Sequence, residues 1–228
     1  MKDERKIVHF SSIREQKQAQ ADDGIIHFYS QVLSFVKRYA NIREKVRASY
    51  LFREKVGFPH NQTLTSELEE TFYDWFAFDY VTIQGKTMLH VFLDENKHEK
   101  QEPFFIQLAL FLTSVWEPVY VSKVPDSFFV KGYNPLTNEP TIIKDVRGRF
   151  TEVKQGKILW VRKIKSIGYD VLVSSRLLYV DNTTCVITEL HHRFMCTQLQ
   201  MEKPSWRTFF KMYAIEYVVN GDTKREDD

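Results

Sequence analysis

The hydrophobic pattern of this chain changes period near residue 116, and that change constrains its fold more than any other feature. Before Glu117 the apolar residues recur every three or four positions. After it they form short β-branched and aromatic runs bounded by Pro, Gly and Asn. A repeat of about 3.6 lines one face of a helix, whereas a repeat of 2 lines one side of a strand. The chain is therefore expected to build a helical half and then a β-rich half, and 228 residues suffice to bury a sizeable core.

Within the first half, Asp22 and Asp23 precede Ile25, Phe28, Tyr29, Val32, Phe35, Val36 and Tyr39, which predicts an acid-capped helix. Residues 1–21, charged and polar with a few apolar positions, read as a flexible tail or a short docking helix. A second helix starts at Ile42 and stops at Gly57, with Pro59 just beyond, and its outer face is basic. Ser66 and Glu69 form a capping box for a third, which carries Leu68, Phe72, Trp75 and Phe76 inward. Met88 to Leu93 forms a short helix, and Pro103 opens another through Val115.

In the second half, extended runs are expected at Val119 to Val124, Ser127 to Gly132, Thr141 to Val146, Lys157 to Ile164 and Asp170 to Val173. So many short strands in so little chain favour closure over an open sheet. The fold class is thus α+β: a helical domain over 22–116, a small antiparallel β-barrel of SH3-like or OB-like type over 117–181, and C-terminal helices over 182–219 packing back. Residues 220–228 read as a charged tail.

The charge is uneven. Segment 37–55 has seven basic residues against two acids, segment 61–110 three against nine, and segment 144–165 eight against two. The last supplies Lys144, Arg147, Arg149, Lys154, Lys157, Arg162, Lys163 and Lys165, with Trp160 and Tyr169 nearby. Cations beside aromatics on a small barrel are the ingredients of a single-strand nucleic-acid surface, or of a site for an acidic protein partner. Alternation sets Lys157, Leu159, Val161 and Lys163 on one side of their strand and Ile158, Trp160, Arg162 and Ile164 on the other, which allows Trp160 to be core. Intramolecular pairing with the acidic segment explains the same charges.

Three patterns offer chemistry. Asp145 followed by Glu152 and Lys154 reproduces the acid, acid, lysine order of metal-dependent nucleases, although Arg147-Gly148-Arg149 between them reads as a turn. Cys185, Glu189, His192 and Cys196 share one helical face with zinc-compatible ligands, but one straight helix cannot close a tetrahedron, and the cysteines read as small core residues. Asp74 and Asp79, five apart, are not expected to converge on a regular helix, at roughly 100° per residue. No phosphate-binding glycine loop or nucleophile elbow is present. No cofactor or metal is therefore expected.

The stretch Phe72-Tyr-Asp-Trp-Phe-Ala-Phe-Asp-Tyr80, with Gly85-Lys-Thr-Met-Leu89 after it, resembles a motif of uncharacterised bacterial proteins, many of which carry a C-terminal SEC-C zinc motif. In those proteins a Gly-containing strand ending in Arg follows, and Gly156-Lys-Ile-Leu-Trp-Val-Arg162 is similar to it. The cysteine cluster of the SEC-C motif is missing, so zinc binding is not implied. The resemblance implies a bacterial or phage protein and no defined biochemistry.

Two cysteines and no signal-like apolar run suggest a reducing, cytoplasmic setting, and no apolar stretch approaches the ~20 residues of a membrane span. The expected function is a non-enzymatic interaction or regulatory module that binds a protein partner through charged surfaces. The alternatives are nucleic-acid binding by the basic barrel and metal-dependent nuclease activity.

Overall fold

The computed structural model describes residues 10–96, 102–174, 176–180, 183–202 and 204–223. Five helices come first: α1 (Phe10–Tyr39), α2 (Ile42–Val56), α3 (Ser66–Phe78), α4 (Met88–Glu95) and α5 (Glu102–Thr113). Six strands follow, β1 (Trp116–Lys123), β2 (Phe129–Tyr133), β3 (Pro140–Lys144), β4 (Ile158–Lys165), β5 (Asp170–Leu172) and β6 (Leu178–Val180), with a 3-10 turn at Arg149–Glu152. Helices α6 (Thr183–Gln200) and α7 (Trp206–Thr223) end the described chain. The helical half, the barrel and the returning helices lie where the change of period put them.

Local signals account for the helix ends. Thr65, one residue before the capping serine predicted, caps α3 by accepting from the Leu68 amide at 3.3 Å. Gly57 ends α2 in the left-handed region at φ 67°, a conformation that costs glycine no Cβ clash. The N-terminus departs from expectation, because α1 begins at Phe10 rather than at the acidic pair. Asp22 is no cap; it lies buried inside α1 and accepts from Lys144 Nζ at 2.9 Å, Tyr169 Oη at 2.7 Å and Ser166 Oγ at 2.9 Å. Gln18 also reaches Ser166, at 2.7 Å. These long-range bonds dock the polar N-terminal turns of α1 on the barrel, which no local pattern reveals. Residues 1–9 and 224–228, the rest of the predicted tails, lie outside the described residues.

The strands close in the ring β1-β2-β3-β5-β4, with β4 returning to β1 through Trp116↔Arg162 to Tyr120↔Ile158. The pair β3–β5 is parallel and every other pair in the ring is antiparallel. That parallel crossing fits the OB-like alternative; an SH3-like meander has only antiparallel neighbours. Strand β6, not predicted, pairs with the first three residues of β4, Ile158 to Trp160.

Two apolar cores result. Val119, Val121, Val130, Ile143, Leu159, Val161 and Leu172 fill the barrel together with Phe150 and Val153. The larger core lies outside it, where Ile158, Trp160, Ile164, Val171 and Val173 meet the aromatic faces of α1, α3 and α7. The alternation predicted for β4 thus divides one strand between two cores, and Trp160 is fully buried against Tyr217 at a ring separation of 6.0 Å. Helix α7 packs on α2, β1 and β6 and ties the chain's end to both halves.

Gly132 on β2 is held by close strand approach: a Cβ there would stand 2.2 Å from the Tyr120 carbonyl oxygen and 2.9 Å from Val119 Cγ1. Gly132→Ala is therefore expected to lower unfolding free energy by ~1–3 kcal/mol or more, read in urea denaturation. A variant as stable as the parent would show that the barrel wall is looser than described.

Candidate functional site

At the boundary between the halves lies Arg162, fully buried on β4. Its Nε donates to Asp74 Oδ1 at 2.8 Å, its Nη1 to the Ser114 carbonyl at 3.2 Å, and its Nη2 to Asp79 Oδ2. Phe78 and Trp116 cover the guanidinium, with centroids 5.1 and 5.7 Å away. Asp74 also accepts from Tyr29 Oη at 2.6 Å and Trp116 Nε1 at 2.7 Å. Asp74 and Asp79 therefore do meet, on different nitrogens of one guanidinium, which the helical wheel did not require. Helix α3 ends at Phe78, and Asp79 is the C-cap, so the regular angle per residue no longer applies to it.

Two carboxyls share one guanidinium here. Burial pushes the Asp79 carboxyl up to about 6 despite Arg162, and the Asp74 charge adds to the rise. Burial opposes charge on Arg162 as well, but the two aspartates more than offset it and hold its pKa above the usual value.

The other predicted cations divide into paired and surface groups. Lys144 is bound to Asp22, Arg149 to Asp145 at 2.8 Å, and Lys163 to Asp170 and, at 3.5 Å, to Glu117. With Arg162, at least four of the eight basic residues are taken by internal acids, and only part of the acidic partners come from segment 61–110. Arg147, Lys154 and Lys165 are exposed and Lys157 is half-buried.

Asp145 accepts from the Arg147 and Arg149 amides and from the Arg149 guanidinium. Burial by itself would raise its pKa, and those bonds outweigh it and hold the carboxyl below the usual range. It organises the Arg147-Gly148-Arg149 turn and bonds to neither Glu152 nor Lys154, both exposed. On α6, Cys185 and Cys196 are exposed rather than core, as are Glu189 and His192, and His192 Nε2 stands 4.0 Å from Cys196 Sγ. Among the described residues no group of three His, Cys, Asp or Glu side chains is placed to hold a metal.

Two surface features remain. Where the first residues of β3 run beyond the start of β5, a cleft of about 440 Å³ is lined by Asn134, Thr141, Lys163, Lys165, Tyr169 and Asp170 among others. Its polar groups largely bond one another: Thr141 Oγ1 donates to Asp170 at 2.8 Å and Asn134 Nδ2 to Glu117 at 3.1 Å. The second feature is the outer face of β1–β2–β3, which lies on the barrel wall away from the larger core. Since Val130 and Ile143 point inward, Phe129, Lys131 and Tyr133 on β2 and Ile142 and Lys144 on β3 point outward. Tyr120 packs on Tyr133 at 5.1 Å, Phe129 packs on Tyr169 at 5.4 Å, and Phe128 is 46% exposed over the Gly148 turn. Lys131, between Phe129 and Tyr133 on β2, and Lys123, its partner on β1, are exposed beside these rings, and Arg147 is exposed on the turn after β3.

Sequence reasoning missed Tyr120, Lys123, Phe128, Phe129, Lys131 and Tyr133 because it followed charge density into 144–165. The signal present was the aromatic, lysine, aromatic alternation at Phe129, Lys131 and Tyr133, which sets all three on one side of a strand. Compared with protein families, with curated proteins and with solved structures, the chain matches none. No described helix is long and apolar enough to cross a membrane.

Two predictions follow from the buried junction. Arg162→Met leaves two acids buried without their cation and is expected to cost ~3–5 kcal/mol of stability in chemical denaturation; a near-neutral result would contradict the ion set. The raised Asp79 pKa means that the folded state binds the extra proton more tightly than the unfolded chain. The contribution is therefore fully present below the unfolded value of about 3.8 and lost as pH rises through about 6. Relative to Asp79→Asn, wild-type stability should fall by roughly 2 kcal/mol between pH 4 and pH 6.5, and parallel pH profiles would rule the shift out.

Proposed function

We propose that this chain is a non-enzymatic binding module whose ligand is a single-stranded nucleic acid lying on the outer face of β1–β2–β3. The observation that carries this reading is the interleaving of Tyr120, Phe129 and Tyr133 with Lys123 and Lys131 on that face. Every base presents a π-face to an aromatic ring, and lysine or arginine beside the rings meets the phosphates, so such a surface binds strands with little regard to sequence. OB-like barrels use strands 2 and 3 for oligonucleotides and oligosaccharides. That analogy raises the prior, while the residues supply the physical reason. The charge-dense segment first marked for this role contributes less, because Lys144, Arg149, Arg162 and Lys163 are held by acids of the same chain.

A protein partner recognised through charged surfaces is the second reading, favoured by the basic exposed side of α2. The resemblance to the SEC-C-associated bacterial proteins is kept as a proposal too. It is supported by the meeting of Asp74 and Asp79 from its distinctive aromatic stretch with Arg162 from its later strand in one ion set.

Fluorescence anisotropy with a labelled oligothymidine, a duplex and an RNA strand tests the first reading. Single strands should bind with an affinity that falls steeply with salt. Tyr133→Ala should cost ~1–3 kcal/mol of binding, and Lys131→Glu should weaken binding and flatten the salt dependence, neither shifting the melting temperature appreciably. Absence of binding at low salt, or equal binding by both variants, would overturn it.

A further inference from the structure

Helix α2 carries two apolar stripes where docking requires one. Ala48, Phe52 and Val56 form the first and are buried against the core. Ile42, Val46 and Tyr50, also four residues apart, form the second and are 70%, 63% and 53% exposed. Single exposed apolar residues are ordinary on a protein surface, but three in register along one helix are a contiguous patch. Ile42 and Val46 lie largely open, and only the His60 ring stacks on Tyr50, at 4.5 Å.

The charges beside this stripe indicate what covers it. Arg43 and Arg47 each follow a stripe residue, lie about 100° further round the helix, and are exposed, so they border the stripe along its length. Segment 37–55 holds seven basic residues against two acids. One of those acids, Glu44, is occupied by the Tyr80 hydroxyl at 2.6 Å and the Ile83 amide at 3.2 Å. A second copy of the chain would set arginine against arginine here, and a nucleic acid would leave the aliphatic Ile42 and Val46 without apolar contact.

We propose that the outer face of α2 is a docking site for an acidic amphipathic helix of a partner protein. Its apolar edge would lie on Ile42, Val46 and Tyr50, and its flanking carboxylates would meet Arg43 and Arg47. This is a helix-against-helix mode, in which anchors spaced three and four apart bury the apolar edge and charge sets orientation. The site is separate from the outer barrel face, so the two bindings need not compete.

The test uses the full chain and two synthetic helical peptides with the same leucine edge, one with glutamate and one with lysine on the flanks. The glutamate peptide is expected to bind, to perturb the amide resonances of α2, and to weaken with salt. Val46→Glu, at an exposed position that leaves the fold unchanged, should weaken it about tenfold or more, and Arg43→Glu with Arg47→Glu comparably. Four results would overturn the proposal: equal binding of both peptides, binding of neither, indifference to Val46→Glu, or displacement of the glutamate peptide by oligothymidine. A concentration-dependent dimer abolished by Val46→Glu would also overturn it, in favour of self-association.

Discussion

One buried cation, Arg162, holds the two halves of this molecule in a single arrangement. It projects from β4 out of the barrel and is received by Asp74 and Asp79 of the α3 region and by the Ser114 carbonyl before β1. Removing a guanidinium from water costs several kcal/mol and is tolerated only where the remaining donors are met with good geometry. Here they are, and the planar group also lies between Phe78 and Trp116. Lysine, with a compact ammonium and no planar fork, would not satisfy the same three acceptors and two rings. The arrangement is specific because any sliding of barrel against helices breaks several bonds together.

That commitment determines which surfaces stay available. Strands β4 and β5 and the start of β1 give their outer side to the helices, so the barrel's freer wall is the end of β1 from Tyr120 onward with β2 and β3. The remaining internal ion pairs act in the same direction. Asp22 of α1 holds Lys144 and, with Gln18, fastens the loop at Ser166 and Tyr169. Asp170 and Glu117 hold Lys163 at the cleft. A segment that looks like a basic patch in one dimension is, in three, largely a set of fasteners. Exposed positive charge remains at Arg147, Lys154 and Lys165, beside the aromatic rings of β1 and β2, and along α2.

Features set by local chemistry were legible in the residues. The change of period placed the helix-to-strand boundary, Gly57 ended α2, and alternation along Ile158 to Ile164 assigned each side chain of β4 to its side, including the burial of Trp160. Features set by contacts distant in sequence were not. A docking helix is one of two readings for residues 1–21, but nothing near Gln18 says where it docks; the partners lie about 145 residues away in Ser166 and Tyr169. The meeting of Asp74 and Asp79 on one guanidinium was hidden because a helical wheel assumes a helix that in fact stops between them. The exposed thiols of α6 were misjudged as core because cysteine is usually buried, a tendency that carries no information about one particular face. The candidate binding face was half visible: its fold was expected, but charge density pointed to strands whose cations are already paired.

Native-state hydrogen exchange tests the dependence of the whole structure on this junction most directly. If Arg162 with Asp74 and Asp79 makes one cooperative unit, the slowest amides of α3 and of β4 should share a single opening free energy and a single denaturant dependence. Barrel amides that open at markedly lower free energy than those of α3, with a smaller denaturant dependence, would show that the two halves unfold separately and would contradict the account.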